Sequence, residues 1–227
     1  MRTLILDTSG TYTTVAAAQN EAVLGYTALK TQPLAYLHEQ IRTMNRQLDL
    51  AMDAFEQIAV VIGPGSWTGL NIGVTAAKTL AQVLEVPVVA LPTLDALVAA
   101  RRWTTGRVCA LLNAKRENVY CCWYPTDATG TVRLADGHAQ VMPFRAWTDA
   151  LAHETGTPLV VEYGRAYRQR LEQHQPAVCI ESRDRLSPEA LLLTLKAQQA
   201  TPHTGNAVLA LSPDYMQQSL AERDWPG

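Results

Sequence analysis

The stretch "GPGSWTGLNIG" at residues 63–73 follows an apolar run, "IAVVI" at 58–62, and opens a segment rich in helix-forming residues. A continuously apolar run is typical of a central strand that is covered on both faces. Glycine at such a strand-to-helix turn permits positive φ and close backbone approach, while Ser66 or Thr68 can cap the following helix. Because "PVVAL" at 87–91 supplies another strand, the segment predicts a right-handed parallel crossover in an α/β fold.

The spacing of the glycines excludes three familiar catalytic motifs. A Walker loop fails in either register, and the third glycine of the dinucleotide-binding fingerprint falls one residue late, at Gly69. A nucleophile elbow around Ser66 requires glycine where Pro64 stands. Two interpretations remain, a structural turn or an anion or nucleotide site, because a helix N-terminus can bind an anion. The candidate residues for such a site are Asp7, Gly65, Ser66 and Thr68.

Composition limits the class of protein. A chain of 227 residues with 48% hydrophobic content can bury a core in one large domain or two small ones, and we expect two lobes. The formal net charge of -2 gives no global attraction to nucleic acid. No apolar stretch approaches the roughly 20 residues of a membrane span, and the N-terminal apolar run is too short for a signal peptide. The sequence predicts a cytoplasmic protein, not bound to membranes, with reduced and mostly buried cysteines.

The periodicity of the chain predicts a similar series of elements in each lobe. Three β-compatible segments at 3–9, 14–19 and 22–29 precede an amphipathic helix over 33–50. The charged stretch "RRWTTG" at 101–106 is the natural boundary. We therefore predict an N-terminal lobe over 1–103, joined by the segment 213–227, and a C-terminal lobe over 104–212. The second lobe is predicted to contain strands at 107–113, 118–124 and 158–164 and helices at 144–154, 166–174 and 188–200.

Several landmarks together resemble those of the bacterial TsaB (YeaZ) family. In order, they are "LDTS" at 6–9, a helix bearing His38, the glycine stretch at 63–73, "NAKRENVY" at 113–120 and "PDYMQQS" at 213–219. The family's glycine motif typically reads GPGSFTGLRIG, and nine of its eleven positions agree here. The resemblance implies an α/β, two-lobed ASKHA fold (actin-like ATPase, ribonuclease H-like), with mixed sheets flanked by helices.

The resemblance also implies a function. TsaB-like proteins are subunits of the assembly that installs N6-threonylcarbamoyladenosine on tRNA. By resemblance, this chain is a non-catalytic scaffold or dimerisation subunit, without a catalytic residue or cofactor of its own. It would bind and stabilise a TsaD-like catalytic paralogue, while a TsaE-like ATPase would join in a ternary complex. Contact with tRNA would come only through the complex, and a homodimer could form when the paralogue is absent.

The chain departs from the family pattern at polar positions. Trp67 stands where phenylalanine is usual, and Asn71 replaces an arginine. In the later landmark, Asn113, Lys115 and Asn118 replace aspartate, arginine and glutamate. These exchanges change individual polar contacts and leave the expected fold intact.

Two further features argue against independent chemistry. Catalytic members of the superfamily carry one acidic phosphate loop in each lobe; Asp7 fits the first, but the second position is Asn113, a poor anchor for Mg²⁺. TsaD-type relatives bind metal through His-x-x-x-His, whereas His38 is followed four residues later by Arg42, so no metal site is expected. The alternatives are an actin-like phosphotransferase or ATPase that uses Asp7 and residues 63–69, and a less favoured hydrolase at Ser66.

Two helices are the candidate partner surface. Small and apolar residues recur along one side of the helix after the glycine turn, where they would let a second helix approach. Together with the helix over 33–50, the predicted interface consists of Leu37, His38, Ile41, Gly69, Ile72, Gly73, Ala76 and Leu80. The alternative is that these helices only cover their own sheet. Arginine clusters at 101–102, 165–170 and 183–185 are interpreted as solvated surface.

Overall fold

The computed structural model describes residues 1–30, 33–174, 177–198 and 202–216, with the backbone alone for 33–35 and 174. It contains two five-stranded mixed sheets, each flanked by helices. The predicted two-lobed ASKHA architecture is therefore confirmed.

The N-terminal sheet combines an antiparallel meander with a parallel crossover. Its elements are β1 (Arg2–Asp7), β2 (Thr13–Gln19), β3 (Ala22–Leu29), α1 (Pro33–Leu48), β4 (Gln57–Gly63), α2 (Trp67–Leu84), β5 (Val88–Pro92) and α3 (Thr93–Val98). The strand order is β3-β2-β1-β4-β5, with β1 antiparallel to β2 and parallel to β4. The helix after the glycine turn runs between the parallel strands β4 and β5, as its sequence predicts.

The C-terminal sheet repeats this arrangement. Its elements are β6 (Val108–Asn113), β7 (Asn118–Tyr124), β8 (His138–Pro143), α4 (Phe144–Leu151), β9 (Leu159–Tyr163), α5 (Arg168–His174), β10 (Cys179–Arg183), α6 (Pro188–Ala197) and α7 (Ala207–Ala210). The order β10-β9-β6-β7-β8 has the same pattern of parallel and antiparallel pairs as the first sheet. Both lobes therefore share one topology.

Alternation along the first strand of each sheet divides the protein into three cores. Leu4 and Leu6 face a core under α1 and α2, whereas Ile5 faces a core between the two sheets. Cys109 and Leu111 similarly face a core under α4 and α5. The central core joins the two lobes, because it contains buried residues from both sheets.

Two helices between the sheets contact the lobe other than their own. Helix α3, at the end of the N-terminal half of the chain, packs on β6 and β9 as well as on β4 and β5, while α6 packs on β1, β2, β3 and β5. The two helices also pack on each other. The lobes are joined by this exchange as well as by the chain crossing between them.

The described C-terminal residues contact the N-terminal lobe. His203 forms an antiparallel bridge with Val88, and the Lys78 ammonium donates to the carbonyl of Leu209 at 2.6 Å. The Asp214 amide donates to the Ile62 carbonyl at 2.8 Å. Residues 217–227 of the segment predicted to join this lobe lie outside the described residues. The division into 1–103 and 104–212 stays a prediction.

Four elements were not predicted from the sequence: α3, α7, β8 and β10. Helix α7 has only four residues. Helix α3 has six residues, too few for a clear helical period, and the edge strands "HAQVMP" and "CIESR" lack buried alternation. The expectation of buried thiols holds for Cys109, Cys121 and Cys122 and is wrong for Cys179, which is exposed on an edge strand. No helix among the described residues is long and apolar enough to cross a membrane.

Candidate functional site

A cleft of about 370 Å³ lies between the lobes, at the carboxyl ends of the central strands. Ser9, Gly10 and Thr11 reach it from the loop after β1, and Asn113 and Lys115 from the loop after β6. The remaining lining residues are Gly65, Ser66, Leu112, Tyr163, Gly164 and Asp184. This brings together the glycine turn and the two loops that the sequence analysis compared.

The glycine turn is packed tightly against the loop after β1. The Ser66 amide donates to the Ser9 carbonyl at 2.7 Å, and a Cβ on Gly65 would lie 2.5 Å from that same oxygen. Gly63 adopts φ of 133° and forms a cis peptide with Pro64. The Ser66 hydroxyl accepts from the Gly69 amide at 3.3 Å, which confirms Ser66 as the N-cap of α2. Glycine is required here for close backbone approach.

Asp7 is fully buried and caps its own turn. Its Oδ1 accepts from the Ser9 amide at 2.9 Å and from the Ser9 hydroxyl at 2.7 Å, while Oδ2 has no protein partner among the described residues. Burial raises the pKa of Asp7 to about 6, against the hydrogen bonds from Ser9, which lower it. Ser9, the hydrogen-bond partner of Asp7, lines the cleft, whereas Asp7 itself is fully buried.

Asn113 forms the equivalent turn in the second lobe. Its Oδ1 accepts from the Lys115 amide at 2.7 Å and from the Tyr167 hydroxyl at 3.2 Å. In both turns, the side-chain oxygen accepts from the backbone amide two residues later in the sequence, as in the pair Asp7 and Ser9. The two loops share a local geometry, but only the first carries an acid.

Tyr163 occupies the space between the two loops. Its side chain is buried, and a Cβ on Gly10 would lie 2.0 Å from the Tyr163 hydroxyl oxygen. Burial raises the pKa of Tyr163 well above its usual value. The aromatic ring therefore fills part of the cleft from the end of β9. Within the described ranges, no group of three His, Cys, Asp or Glu side chains could hold a metal ion.

The structure divides the eight predicted interface residues into two groups. Leu37 and Ile41 are buried in the core under α1 and α2. Gly69 and Gly73 are buried against Thr8, because a Cβ would lie 2.0 Å from the Thr8 carbonyl oxygen and 2.2 Å from its hydroxyl oxygen, respectively. Gly69 and Gly73 thus make room for the loop after β1 of the same chain. This corrects the explanation of these small residues that was based on the sequence, namely the approach of a second helix.

The other four residues lie toward the surface. His38 is exposed on α1, and partly buried Ile72, Ala76 and Leu80 recur at four-residue intervals on α2. Val83, which is not among the eight predicted positions, is 75% exposed near the end of the same helix. This helix is apolar nearly all round, so its sequence does not distinguish an exposed apolar residue such as Val83 from a buried one. Contact with a partner stays a prediction for all eight positions.

A stacked aromatic pair beside the cleft was also missed. The rings of Trp67 and Tyr215 lie 3.9 Å apart between centroids, and Trp67 remains 55% exposed. The Tyr120 hydroxyl donates to the Tyr215 carbonyl at 3.1 Å. Residues 213–216 therefore contact both lobes. The landmark at 213–219 identified this segment but not its partners, which are distant in sequence.

The repeated strand order and the cleft define a two-lobed protein of the actin-like ATPase fold. A family model described as TsaD, tRNA N6-adenosine threonylcarbamoyltransferase, matches residues 34–142. The chain is 27% identical to the tRNA threonylcarbamoyladenosine biosynthesis protein TsaB of Bacillus subtilis, over 99% of this chain and 98% of the relative. It is 26% identical to the protein of that name from Escherichia coli, over 79% of this chain and 86% of the relative.

Solved structures agree with these relatives. YeaZ from Pseudomonas aeruginosa matches at a TM-score of 0.69 and 28% identity, over 86% of this chain and 91% of that one. A protein described as similar to peptidase YEAZ from Pseudomonas aeruginosa matches at a TM-score of 0.76 and 26% identity, over 95% and 99%. The resemblance to the TsaB/YeaZ family that the sequence indicates is therefore confirmed.

Proposed function

We propose that the chain is a non-catalytic subunit in tRNA threonylcarbamoyladenosine biosynthesis, which binds and stabilises a TsaD-like catalytic paralogue. Its relatives from Bacillus subtilis and Escherichia coli are named for that biosynthesis. The observation that carries the non-catalytic role is the pair of loops at the cleft. The acid of the first loop is buried in its own turn, and its counterpart in the second loop is an amide.

These loops are poorly suited to hold a nucleotide with its metal. Mg²⁺ is held by carboxylates and phosphates in near-octahedral geometry, and Asn113 offers only a neutral oxygen that already accepts two hydrogen bonds. Asp7 would have to leave its hydrogen bonds with Ser9 to reach the cleft. Tyr163 fills space beside Gly10 that a phosphate would need. Hydrolysis of ATP by the chain alone is therefore disfavoured.

The outer face of α1 and α2 is the proposed binding surface. We define it by His38, Ile72, Ala76, Leu80 and Val83, which are exposed or partly exposed. The match to the TsaD model over residues 34–142 includes both helices, so a TsaD-like paralogue would present related ones. Pairing of related helices has approximate two-fold symmetry, and a homodimer could use the same face. A specific complex needs about 800 Å² from each partner.

The remaining partners follow from this arrangement. A TsaE-like ATPase would supply the nucleotide chemistry that the chain lacks, as a third component of the complex. The net charge of -2 gives the isolated chain no general attraction to tRNA, so tRNA would be bound by the complex and not by this subunit alone. We place this assembly in the cytoplasm, where tRNA modification takes place.

Co-purification with a TsaD-like protein tests the proposal. We expect the wild-type chain to retain the paralogue and to restore threonylcarbamoyl transfer in a mixture that lacks it. Val83→Asp, which places a charge on the outer face, should weaken the complex at least tenfold, since a desolvated charge costs more than 1.4 kcal/mol. Val141→Asp is the matched control, because Val141 is an exposed valine on the edge strand β8.

Failure of the wild-type chain to associate with the paralogue would contradict the proposal. Equal loss of binding in both valine variants would place the interface elsewhere. The phosphotransferase alternative makes the opposite prediction: the isolated chain would turn over ATP, and Asp7→Asn would abolish this turnover. A phosphate-release assay on the isolated chain and on Asp7→Asn distinguishes the two functions.

A further inference from the structure

A second pocket, separate from the cleft but sharing Asp184 with it, has a volume of about 490 Å³. It lies where the end of β10 meets the start of α6, beside the residues that follow α3. Three arginines, Arg101, Arg183 and Arg185, line it together with Tyr12. We propose that this arginine pocket binds a small molecule that carries a phosphate group.

Two of the guanidinium groups share one carboxylate. The Arg101 Nε lies 3.1 Å from Glu181 Oε2, and Arg183 contacts the other oxygen of Glu181. Desolvation lowers the pKa of both arginines, and the nearby charge of Arg101 lowers that of Arg183 further. Two adjacent, partly desolvated positive charges with a single counter-ion leave the pocket with a deficit of negative charge. A bound anion would supply it.

The third arginine, Arg185, forms no ion pair with an acid in the described part of the chain. Among the described residues, no carboxylate lies within 4 Å of Arg185, whose Cζ lies 5.9 Å from the centre of the Tyr12 ring. Asp184, the one acid that lines the pocket, pairs with Arg165 at 3.6 Å. Of the four arginines around this pocket, Arg101, Arg183 and Arg165 therefore pair with two carboxylates, and Arg185 pairs with neither. Glu189, in the first turn of α6, is not among the lining residues.

The start of α6 adds polar groups to the same wall. Helix α6 has ten residues, and the Ser187 hydroxyl oxygen accepts from the Ala190 amide at 3.2 Å as the N-cap. The hydroxyl proton of Ser187 is therefore free to donate to a ligand. The N-terminus of a helix also carries a partial positive charge, which acts together with the three guanidinium groups.

The chemistry and shape of the pocket select the ligand class. Guanidinium groups bind phosphate oxygens through paired, charge-assisted hydrogen bonds, which an ammonium group cannot reproduce. The volume falls within the range of small-molecule sites, about 300 to 1,000 Å³. A polynucleotide would need basic contacts along several successive phosphates, whereas these arginines converge on one concavity. A small ligand with a terminal phosphate fits best.

Titration of the isolated chain at low salt tests the assignment. The probes are inorganic pyrophosphate, ATP, adenosine and an unmodified tRNA, with binding followed by calorimetry. We expect pyrophosphate and ATP to bind and adenosine not to bind. Arg185→Gln should weaken both about tenfold or more, because a hydrogen bond to a charged group contributes that much. Arg185 is exposed, so its loss should leave the thermal midpoint unchanged.

Two control variants locate the site. Lys115→Gln alters the neighbouring cleft, and Arg145→Gln removes an exposed arginine from α4; both should bind like the wild-type chain. Weakening by Lys115→Gln that equals the effect of Arg185→Gln would place the ligand in the cleft and overturn the assignment. Absence of pyrophosphate and ATP binding at millimolar concentration would also overturn it. So would binding of tRNA alone that depends on Arg185, since the ligand would then be a polynucleotide.

Discussion

The two lobes share one strand order but join strand to helix by different means. In the N-terminal lobe, β4 leads into the 18-residue helix α2 through a turn whose glycines let backbone touch backbone. In the C-terminal lobe, β9 leads into the seven-residue helix α5 through a loop held by the buried carboxylate of Glu162. One topology therefore tolerates two local solutions, and only the first leaves a recognisable sequence motif.

The difference arises from what each helix must contact. Helix α2 lies so close to the loop after β1 that Gly69 and Gly73 meet Thr8 directly, and the Thr8 hydroxyl donates to the Gly69 carbonyl at 2.7 Å. The turn before α5 is looser, since a Cβ on Gly164 would meet nothing within 4 Å. There, Glu162 accepts from the Tyr167 amide at 2.6 Å and from the Ser182 hydroxyl at 3.2 Å.

The largest expected effect comes from adding one methyl group to the tight turn. Gly69→Ala should lower the free energy of unfolding by about 3 kcal/mol or more, because its Cβ would collide with a backbone oxygen that cannot rotate away. Gly164→Ala, whose native φ is +90° but which has open space, should cost only about 1 kcal/mol. Urea denaturation measures both.

Thr75→Ala, at an exposed position of the same helix, is the control for Gly69→Ala and should change stability by less than about 0.5 kcal/mol. Equal effects of the two glycine substitutions would show that the lobes do not differ in this respect.

The second expected effect concerns the acid that only the first lobe keeps. With a pKa of about 6 when folded and 3.8 as the reference, Asp7 holds a proton in the folded state that the unfolded chain has released between about pH 4 and pH 6. The free energy of unfolding should therefore fall as pH rises through this window, by up to about 3 kcal/mol from this group. Asp7→Asn should remove this part of the slope in pH-dependent denaturation.

Asp53→Asn, at an exposed position, should keep that slope because Asp7 is unchanged. A slope of the same size in Asp7→Asn and wild type would assign the proton uptake to another group. An amide side chain can form this turn, because Asn113 forms the equivalent turn in the second lobe.

Removing the carboxylate of Glu162 should destabilise the loop between β9 and α5 in the C-terminal lobe. Glu162→Ala should cost about 2 kcal/mol, since it leaves the Tyr167 amide and the Ser182 hydroxyl without their acceptor in a buried site. Glu162→Gln should cost less, because one side-chain oxygen remains. Glu172→Ala, which removes an exposed partner of Arg168, should cost about 0.5 kcal/mol or less. Thermal unfolding of the three variants ranks them.

The smallest effect should come from the contact that links both lobes to residues 213–216. Tyr120→Phe removes the hydroxyl that donates to the Tyr215 carbonyl and should cost about 1 kcal/mol. Tyr26→Phe, at an exposed tyrosine of β3, should leave stability unchanged within error. A larger loss in Tyr26→Phe than in Tyr120→Phe would contradict the assigned role.

The predictable parts of the fold are those with strong local signals. The apolar run at 58–62, the capping Ser66 and the glycines are enough to predict β4, α2 and their crossover from the sequence. Strands β8 and β10 lie at sheet edges with mostly solvated side chains, so they carry no periodic apolar pattern. Their pairing depends on neighbouring strands that are distant in sequence.

The candidate site was predicted less completely, for a related reason. Asp7 and Asn113 could be matched from the residues around them, and both do form side-chain-capped turns. The filling of the cleft by Tyr163 could not be foreseen, because its contact with Gly10 joins positions in different lobes. Glycines on α2 suggested an approaching partner helix, but the same signal arises when the approaching group is Thr8. Small residues on a helix therefore indicate that another group packs closely against it, but they do not identify that group.

The crossed placement of α3 and α6 affects how the protein can be made. A ribosome releases residues 1–103 well before α6, so the part of the first lobe's sheet that α6 covers stays exposed until residue 197 has been synthesised, although α3 already packs on β4 and β5. Cutting the gene between the lobes would yield two halves that each lack a covering helix, and each half should aggregate alone yet recover a soluble fold when both are produced together. The N-terminal half of the chain therefore completes its folding only after the C-terminal half has been synthesised.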